Sequence, residues 1–300
     1  MYGAIIGDIV GSKYEFHNIK TKDFPFISGG CGFTDDTVMT VAVANALLRS
    51  REEKKPFKPL LVKEMQTLGR RFPDAGYGGR FSLWLRMDDP RPYRSFGNGS
   101  AMRVSPCGLI AVTLEEAVAL GRASAEVTHD HPEGIKGAEA TAAAVFLAKT
   151  GRSREEIGGF IRERYYPLRE TLDEIRPGYS FNETCQETVP QAFEAFLEST
   201  GFEDAVRNAV SLGGDSDTLA AVTGAVAWSY YRFHDRESEE THKKKGRIWP
   251  ASCDRIVAGY GIDAMLPEDF VRTIDELDTA RVARGGTYDR MGFCSPIPIE

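Results

Sequence analysis

The sequence predicts an all-α protein, on three observations. Apolar residues recur at helical spacing along most of the chain. No segment shows the convincing alternation of a half-buried strand. Two of the apolar runs open on aspartate and threonine, which suit a helix N-terminus. Helices joined by loops, without strands, place the chain in the all-α class.

The first helix is GAIIGDIVG, where Gly3, Gly7 and Gly11 are four residues apart and share one face. Each glycine costs a helix about 1 kcal/mol against alanine. Three on one face therefore imply a partner helix or a ligand in close approach. The GxxxG spacing excludes a dinucleotide-binding turn, which needs GxGxxG before a helix. The second helix, 37–49, follows FTDDT. Helices are next expected over 114–127 and 135–149, the latter alanine-rich for tight packing. Residues 153–165, 188–199 and 202–211 follow the same pattern. Residues 218–233 are apolar nearly all round and belong in the core. Loops rich in proline and glycine fall at 73–80, 88–100, 176–181 and 285–298, and loops are where function tends to sit. The C-terminal CSPIPIE is expected along the surface.

The 300 residues can bury a large core and are expected to form a single domain, 1–300. Hydrophobic residues make up 42% and charged residues 27%, and the net charge is −7. That balance argues against general nucleic-acid binding. The basic run His242, Lys243, Lys244, Lys245, Arg247 is local and suits a solvated turn. Five widely spaced cysteines, Cys31, Cys107, Cys185, Cys253 and Cys294, contain no CxxC, so neither a zinc ribbon nor a disulfide framework is expected. Reduced thiols fit a cytoplasmic location. The N-terminus lacks a basic segment before its apolar run and makes a poor signal peptide. The longest low-polarity stretch, near 219–231, falls short of the about 20 residues that span a bilayer, so no membrane partner is expected.

Two stretches carry the chemistry. In FTDDT, Thr34 can cap the helix, and Asp35 and Asp36 suit its dipole. Plain capping would explain this stretch alone. LGGDSDT repeats the logic with Asp215, Asp217 and Thr218. If the two helix starts face each other, four carboxylates converge, and they cannot all stay ionised without cations. Oxygen-only ligands select hard cations, Mg²⁺, Mn²⁺ or Ca²⁺, over zinc. Four carboxylates suffice for two of them. SFGNGSAMR has a backbone made flexible by Gly97 and Gly99, which can approach a phosphate closely or simply turn the chain. His129 and His131 in VTHDHPEG have no third zinc ligand beside them. Glu15 lies in a polar turn after the first helix, where a solvated glutamate is the default.

In this order, GAIIGDIVGSKYE, FTDDT, GNGSAMR, the TH at 128–129, TVPQAFEAF and GGDSDT resemble the ADP-ribosylglycohydrolase family, whose founding bacterial member reactivates dinitrogenase reductase. The resemblance covers about residues 1–232, leaving 233–300 as the C-terminal part of the same domain. It implies a compact orthogonal helical bundle with a central cleft holding two divalent cations, Mg²⁺ or Mn²⁺. The implied metal ligands are Thr34, Asp35, Asp36, Asp215, Asp217 and Thr218. Glu15, Asp36 and Asp217 are the implied catalytic groups, with the acid/base left open among them. The implied substrate contacts are Ser95, Phe96, Gly97, Asn98, Gly99, Ser100, Met102 and His129. Of these, Asn98, Gly99 and Ser100 belong to the loop that holds a diphosphate. The implied reaction cuts the glycosidic bond at the anomeric ribose carbon of an ADP-ribosylated protein or small ADP-ribose conjugate, with the enzyme acting as a monomer. The arginine-directed branch carries an aspartate three residues before the asparagine of GNG. Ser95 stands there instead, which favours O-linked substrates such as serine or O-acetyl-ADP-ribose. A non-catalytic binding or structural relative and a two-metal phosphoesterase are the alternatives.

Overall fold

Helix follows helix along the chain: α1 (Tyr2–Ser12), α2 (Asp35–Glu53), α3 (Phe57–Arg71), α4 (Gly79–Trp84), α5 (Gly99–Met102), α6 (Ser105–Ile110), α7 (Leu114–Glu126) and α8 (Pro132–Lys149). Then come α9 (Arg154–Arg164), α10 (Leu172–Ile175), α11 (Cys185–Leu197), α12 (Phe202–Ser211), α13 (Ser216–Lys244), α14 (Ser252–Tyr260), a 3-10 turn (Ile262–Met265) and α15 (Glu268–Gly285). The computed structural model describes residues 1–244, 252–285 and 297–300, with side chains over 1–234, 253–280 and 297–300. Among them, the isolated pairing of extended backbone is an antiparallel bridge between Gly97 and Thr184. The class is all-α, as expected. The side chains of the basic run 242–247, Cys294 and most of the 285–298 loop lie outside the described residues. The four other cysteines are free. No described helix is long and apolar enough to cross a membrane.

The three glycines of α1 meet a partner helix, α13. A Cβ at Gly3 would lie 2.1 Å from the Gly224 carbonyl oxygen, one at Gly7 2.0 Å from that of Ala220, and one at Gly11 2.3 Å from that of Ser216. Each step of four along α1 matches a step of four back along α13. The helices are therefore antiparallel and touch backbone to backbone. That register brings the C-terminal end of α1 to the start of α13.

Around this pair, α2 packs on α3, α7 on α8, and α8, α11 and α12 on α13. The alanines of α8, from Ala138 to Ala148, are buried, which keeps its neighbours close. The C-terminal α15 lays Phe270, Ile274 and Leu277 into the core against α2. The tail's last residues pair with the start of α3, where the Phe57 amide donates to the Pro298 carbonyl at 2.9 Å.

The helices α3, α4, α5, α6, α10, α14 and α15 add to those expected. In α3, Pro59 falls in the first turn, where its missing N–H costs nothing. The 73–80 and 88–100 loops run as expected until α4 and α5 begin at Gly79 and Gly99. The expected 188–199 helix starts earlier, at Cys185, and carries Pro190 within it.

Candidate active site

The site grows from three helix ends. Thr34 caps α2 in extended conformation, and its hydroxyl accepts the Asp36 amide at 3.3 Å. Asp8, fully buried on α1, holds this cap in place. Its two oxygens accept from the Thr34 amide (2.9 Å), the Thr34 hydroxyl (2.8 Å), the Thr37 amide (3.0 Å) and the Thr37 hydroxyl (2.5 Å). At the start of α13, Gly213 and Gly214 both adopt positive φ, +70° and +73°, a conformation that glycine adopts without strain. Asn18 locks that turn to the loop after α1. Its side chain donates to the carbonyls of Tyr14, Glu15 and Gly214 and accepts the Gly214 amide at 2.8 Å.

These ends converge. The Thr218 hydroxyl donates to Asp36 Oδ2 at 3.1 Å, and Thr34 Oγ1 lies 3.4 Å from Asp217 Oδ2. Carboxylate oxygens of Glu15, Asp215 and Asp217 lie within 4.8 Å of one another. The Asn98 amide donates to Asp215 Oδ2 at 2.6 Å and to the Thr188 hydroxyl at 3.1 Å. Asp36 Oδ1 is buried with no partner.

The electrostatics follow from burial and repulsion. Burial first, then the charge of Asp217, pushes Asp8 up to about 7. The same two causes, with Asp8 and Glu183 adding, push Glu15 up to about 8. Asp35, Asp36 and Asp215 are driven well above the usual carboxylate range by burial and then by Asp217. Among the described residues, no lysine or arginine forms an ion pair with these carboxylates. A buried anionic cluster of this kind needs protons or metal ions. Its donors are all oxygen, and Asp36 Oδ1 is free to bind, so the residues present fit hard divalent cations.

The cleft beside this cluster encloses about 250 Å³. It is lined by Glu15, Asp35, Asp36, Asp215, Asp217, Thr218 and Glu183. The same cleft is also lined by Arg80, Arg103, Tyr93, His129, Gly76, Gly78 and Gly79, with Gly76 lying against Asp35. Ser95, Gly97, Asn98, Gly99 and Met102 complete the lining taken from the 88–100 loop and α5. The bridge to Thr184 and the Cys185 thiol, 3.1 Å from the Gly97 carbonyl, pin this loop to α11. Exposed Phe16 and Phe181 stack beside Glu15 and Glu183, with ring centroids 6.1 Å apart.

Three sequence-predicted residues do not line the cleft. Thr34 is occupied with Asp8 and the cap. The Ser100 hydroxyl turns away to donate to the Gly134 carbonyl at 2.7 Å. Phe96 is 44% exposed and packs against His131, 5.3 Å between centroids. Asn98 reaches the cleft, but its amide is spent on Asp215 and Thr188.

Sequence reasoning missed Asp8, Asn18, Arg80, Tyr93 and Glu183. Asp8 alone left a signal, a single charge inside an apolar helix with a glycine face. The others depend on contacts between distant segments.

The sequence model of the ADP-ribosylglycohydrolase family matches residues 1–234. ADP-ribosylhydrolase ARH3 from Homo sapiens is 27% identical, with 91% of this chain and 92% of that protein covered. The mouse protein of the same name, from Mus musculus, is 28% identical over 91% and 90%. ADP-ribosylarginine hydrolase Tri1 from Pseudomonas putida (strain GB-1) is 28% identical, covering 93% of this chain and 79% of that one. A solved ADP-ribosylglycohydrolase-related protein complex shares the fold at a TM-score of 0.61 and 22% identity, covering 94% of both chains.

Proposed function

Because the chain belongs to the ADP-ribosylglycohydrolase family, we propose that its cleft hydrolyses ADP-ribose conjugates at the anomeric ribose carbon and releases ADP-ribose. One observation carries the reading. The acidic starts of α2 and α13 meet beside Glu15, in a cleft that Arg80, Arg103 and His129 also line. A cleft that offers both acidic oxygens and cationic groups suits a ligand carrying vicinal hydroxyls and a diphosphate.

Asp35, Asp36, Asp215, Asp217 and Thr218 would hold two divalent cations, Mg²⁺ or Mn²⁺, with Thr34 capping the helix that carries the first two, and the cations when bound would supply Lewis acidity toward the ribose hydroxyls and a water. Asp36 and Asp217 set negative charge against the positive charge that grows at the anomeric carbon. Glu15 is half-buried, and burial, the first cause of its raised pKa, favours the carboxylic acid form. It gives that proton to the leaving oxygen as the glycosidic bond breaks, and it recovers one from the water as the new C–O bond forms. Gly97, Gly99 and Met102 shape the middle of the cleft, with Asn98 and Ser100 bracing the loop from behind. Phe96 extends the ligand contacts outward beyond the cleft. Ser95 offers no charge to a guanidinium, which favours O-linked over arginine-linked conjugates.

The test is a panel of serine-linked, arginine-linked, nucleic-acid-linked and O-acetyl-ADP-ribose substrates, with Mg²⁺ or Mn²⁺ and with chelator. Release of ADP-ribose, lost with chelator, is expected. AMP as product would move the cut to the diphosphate, and tight binding of ADP-ribose without turnover would make the chain a binding protein. Either result overturns the proposal.

A further inference from the structure

Arg103 is the largest charged group in the core. It is 1% exposed, and among the described residues no carboxylate forms an ion pair with it. Burial pulls it down to about 10. Its Nη2 donates to the Ser124 carbonyl at 2.7 Å and to the Thr128 hydroxyl oxygen at 2.9 Å, while its Nε has no partner. A buried cation is costly unless it is paired and hydrogen-bonded, so the two bonds of Nη2 carry much of its compensation.

The consequence runs through Thr128. A guanidinium can only donate, so the Thr128 oxygen accepts from Arg103. The same oxygen lies 2.7 Å from His129 Nδ1. Thr128 makes no other side-chain hydrogen bond among the described residues, so its single proton goes to Nδ1. A His129 ring that accepts at Nδ1 carries its own proton on Nε2. Nε2 faces the glycine loop: Cβ atoms built at Gly97 and Gly99 would stand 3.5 and 3.3 Å from it. Burial, then the charges of Arg103 and Arg80, keep the ring from gaining a second proton.

We propose that Arg103 is a positioning residue which, through Thr128, fixes His129 as the Nε2–H tautomer and aims that one neutral donor at an anion seated over Gly97 and Gly99. The anion's being the diphosphate of ADP-ribose rests on the function proposed above; the tautomer does not.

The experiment uses the full chain labelled with ¹⁵N-histidine, the His129 signals being assigned through His129→Gln. In the ligand-free wild type, Nε2 is expected to be protonated and Nδ1 bare. Thr128→Val removes the relay with little change in shape. It should shift the ring toward the Nδ1–H form and weaken ADP-ribose binding about tenfold. Thr128→Ser should restore both. A wild-type ring protonated on Nδ1, or a Thr128→Val ring unchanged from wild type, overturns the relay. A shifted tautomer with unchanged ADP-ribose affinity overturns the donor's role toward the anion. If the wild type fails to bind ADP-ribose while its ring behaves as expected, the relay stands and the function proposed above falls.

Discussion

Thr218 donates a hydrogen bond to Asp36 across 182 positions of sequence, 3.1 Å from hydroxyl to carboxylate. The threonine of one acidic motif thus orients the carboxylate of the other and leaves Asp36 Oδ1 free. Orienting partners of metal ligands typically matter by about 10- to 100-fold in affinity. Thr218→Val should weaken Mn²⁺ binding by at least about tenfold, read by titration calorimetry. Thr218→Ser should stay near wild type. Equal affinity in Thr218→Val would refute the coupling.

Asp8 tests the cap. Removing its carboxylate in Asp8→Ala strands the Thr34 and Thr37 amides, at a cost of roughly 2–6 kcal/mol. Asp8→Asn should be tolerated far better. Its oxygen can accept the two amides and the Thr37 hydroxyl, while its NH₂ turns to the Thr34 hydroxyl oxygen. Urea unfolding of the two variants distinguishes them, and equal losses would mean that the hydrogen bonds are not what matters.

The glycine face predicts a graded response. Gly7→Ala puts a methyl 2.0 Å from the Ala220 oxygen, in the middle of the α1–α13 contact. Overpacking of this kind costs typically 1–3 kcal/mol, and with backbone on both sides the upper end, about 3 kcal/mol, is expected. Gly29→Ala has open space around the new methyl and should cost little. In Gly11→Ala the methyl would press on Asp217 itself, 2.5 Å from its Cα. Gly11→Ala should therefore lose metal binding as well as stability, whereas Gly7→Ala should lose mainly stability. Denaturation curves and Mn²⁺ titrations on the three variants check this order.

The acidic cluster sets the direction of the pH response. Asp8 near 7 and Glu15 near 8 in the folded chain both lie well above free carboxylates. The metal-free folded state therefore binds more protons than the unfolded state between about pH 4 and pH 8. Stability from this source is full at the acid end and is lost as pH rises through those values. In chelator, the melting temperature should fall between pH 5 and pH 8. Saturating Mn²⁺ should remove most of that slope, since the cation replaces the protons. A melting temperature in chelator that is flat or rising over this range contradicts the electrostatic account.

The two acidic motifs were legible because each is a local signal, a cap followed by an apolar run. The glycine face of α1 was legible as a demand for a close neighbour, though not for which one. Asp8 could not be assigned a role, since its partners lie on α2, beyond a loop of 22 residues from Ser12 to Asp35 that carries no periodicity. Ser100 and Phe96 were expected at the ligand because motif position does not reveal side-chain direction. Ser100 turns inward because it starts a short helix packed on α8, and Gly134 offers it a carbonyl. The short helices α4, α5, α6 and α10 span too few turns to show a period.

The pairing of α1 with α13 joins one segment to another made about 200 residues later. At about 5–20 residues per second, translation separates them by roughly 10–40 s. Throughout that interval the glycine face of α1 has no mate, and Asp8 can be satisfied only by the α2 cap. Carboxylates from the two acidic motifs cannot meet until the second motif has cleared the exit tunnel. The nascent chain is therefore bound to finish its acidic cluster late, whatever order its outer helices fold in.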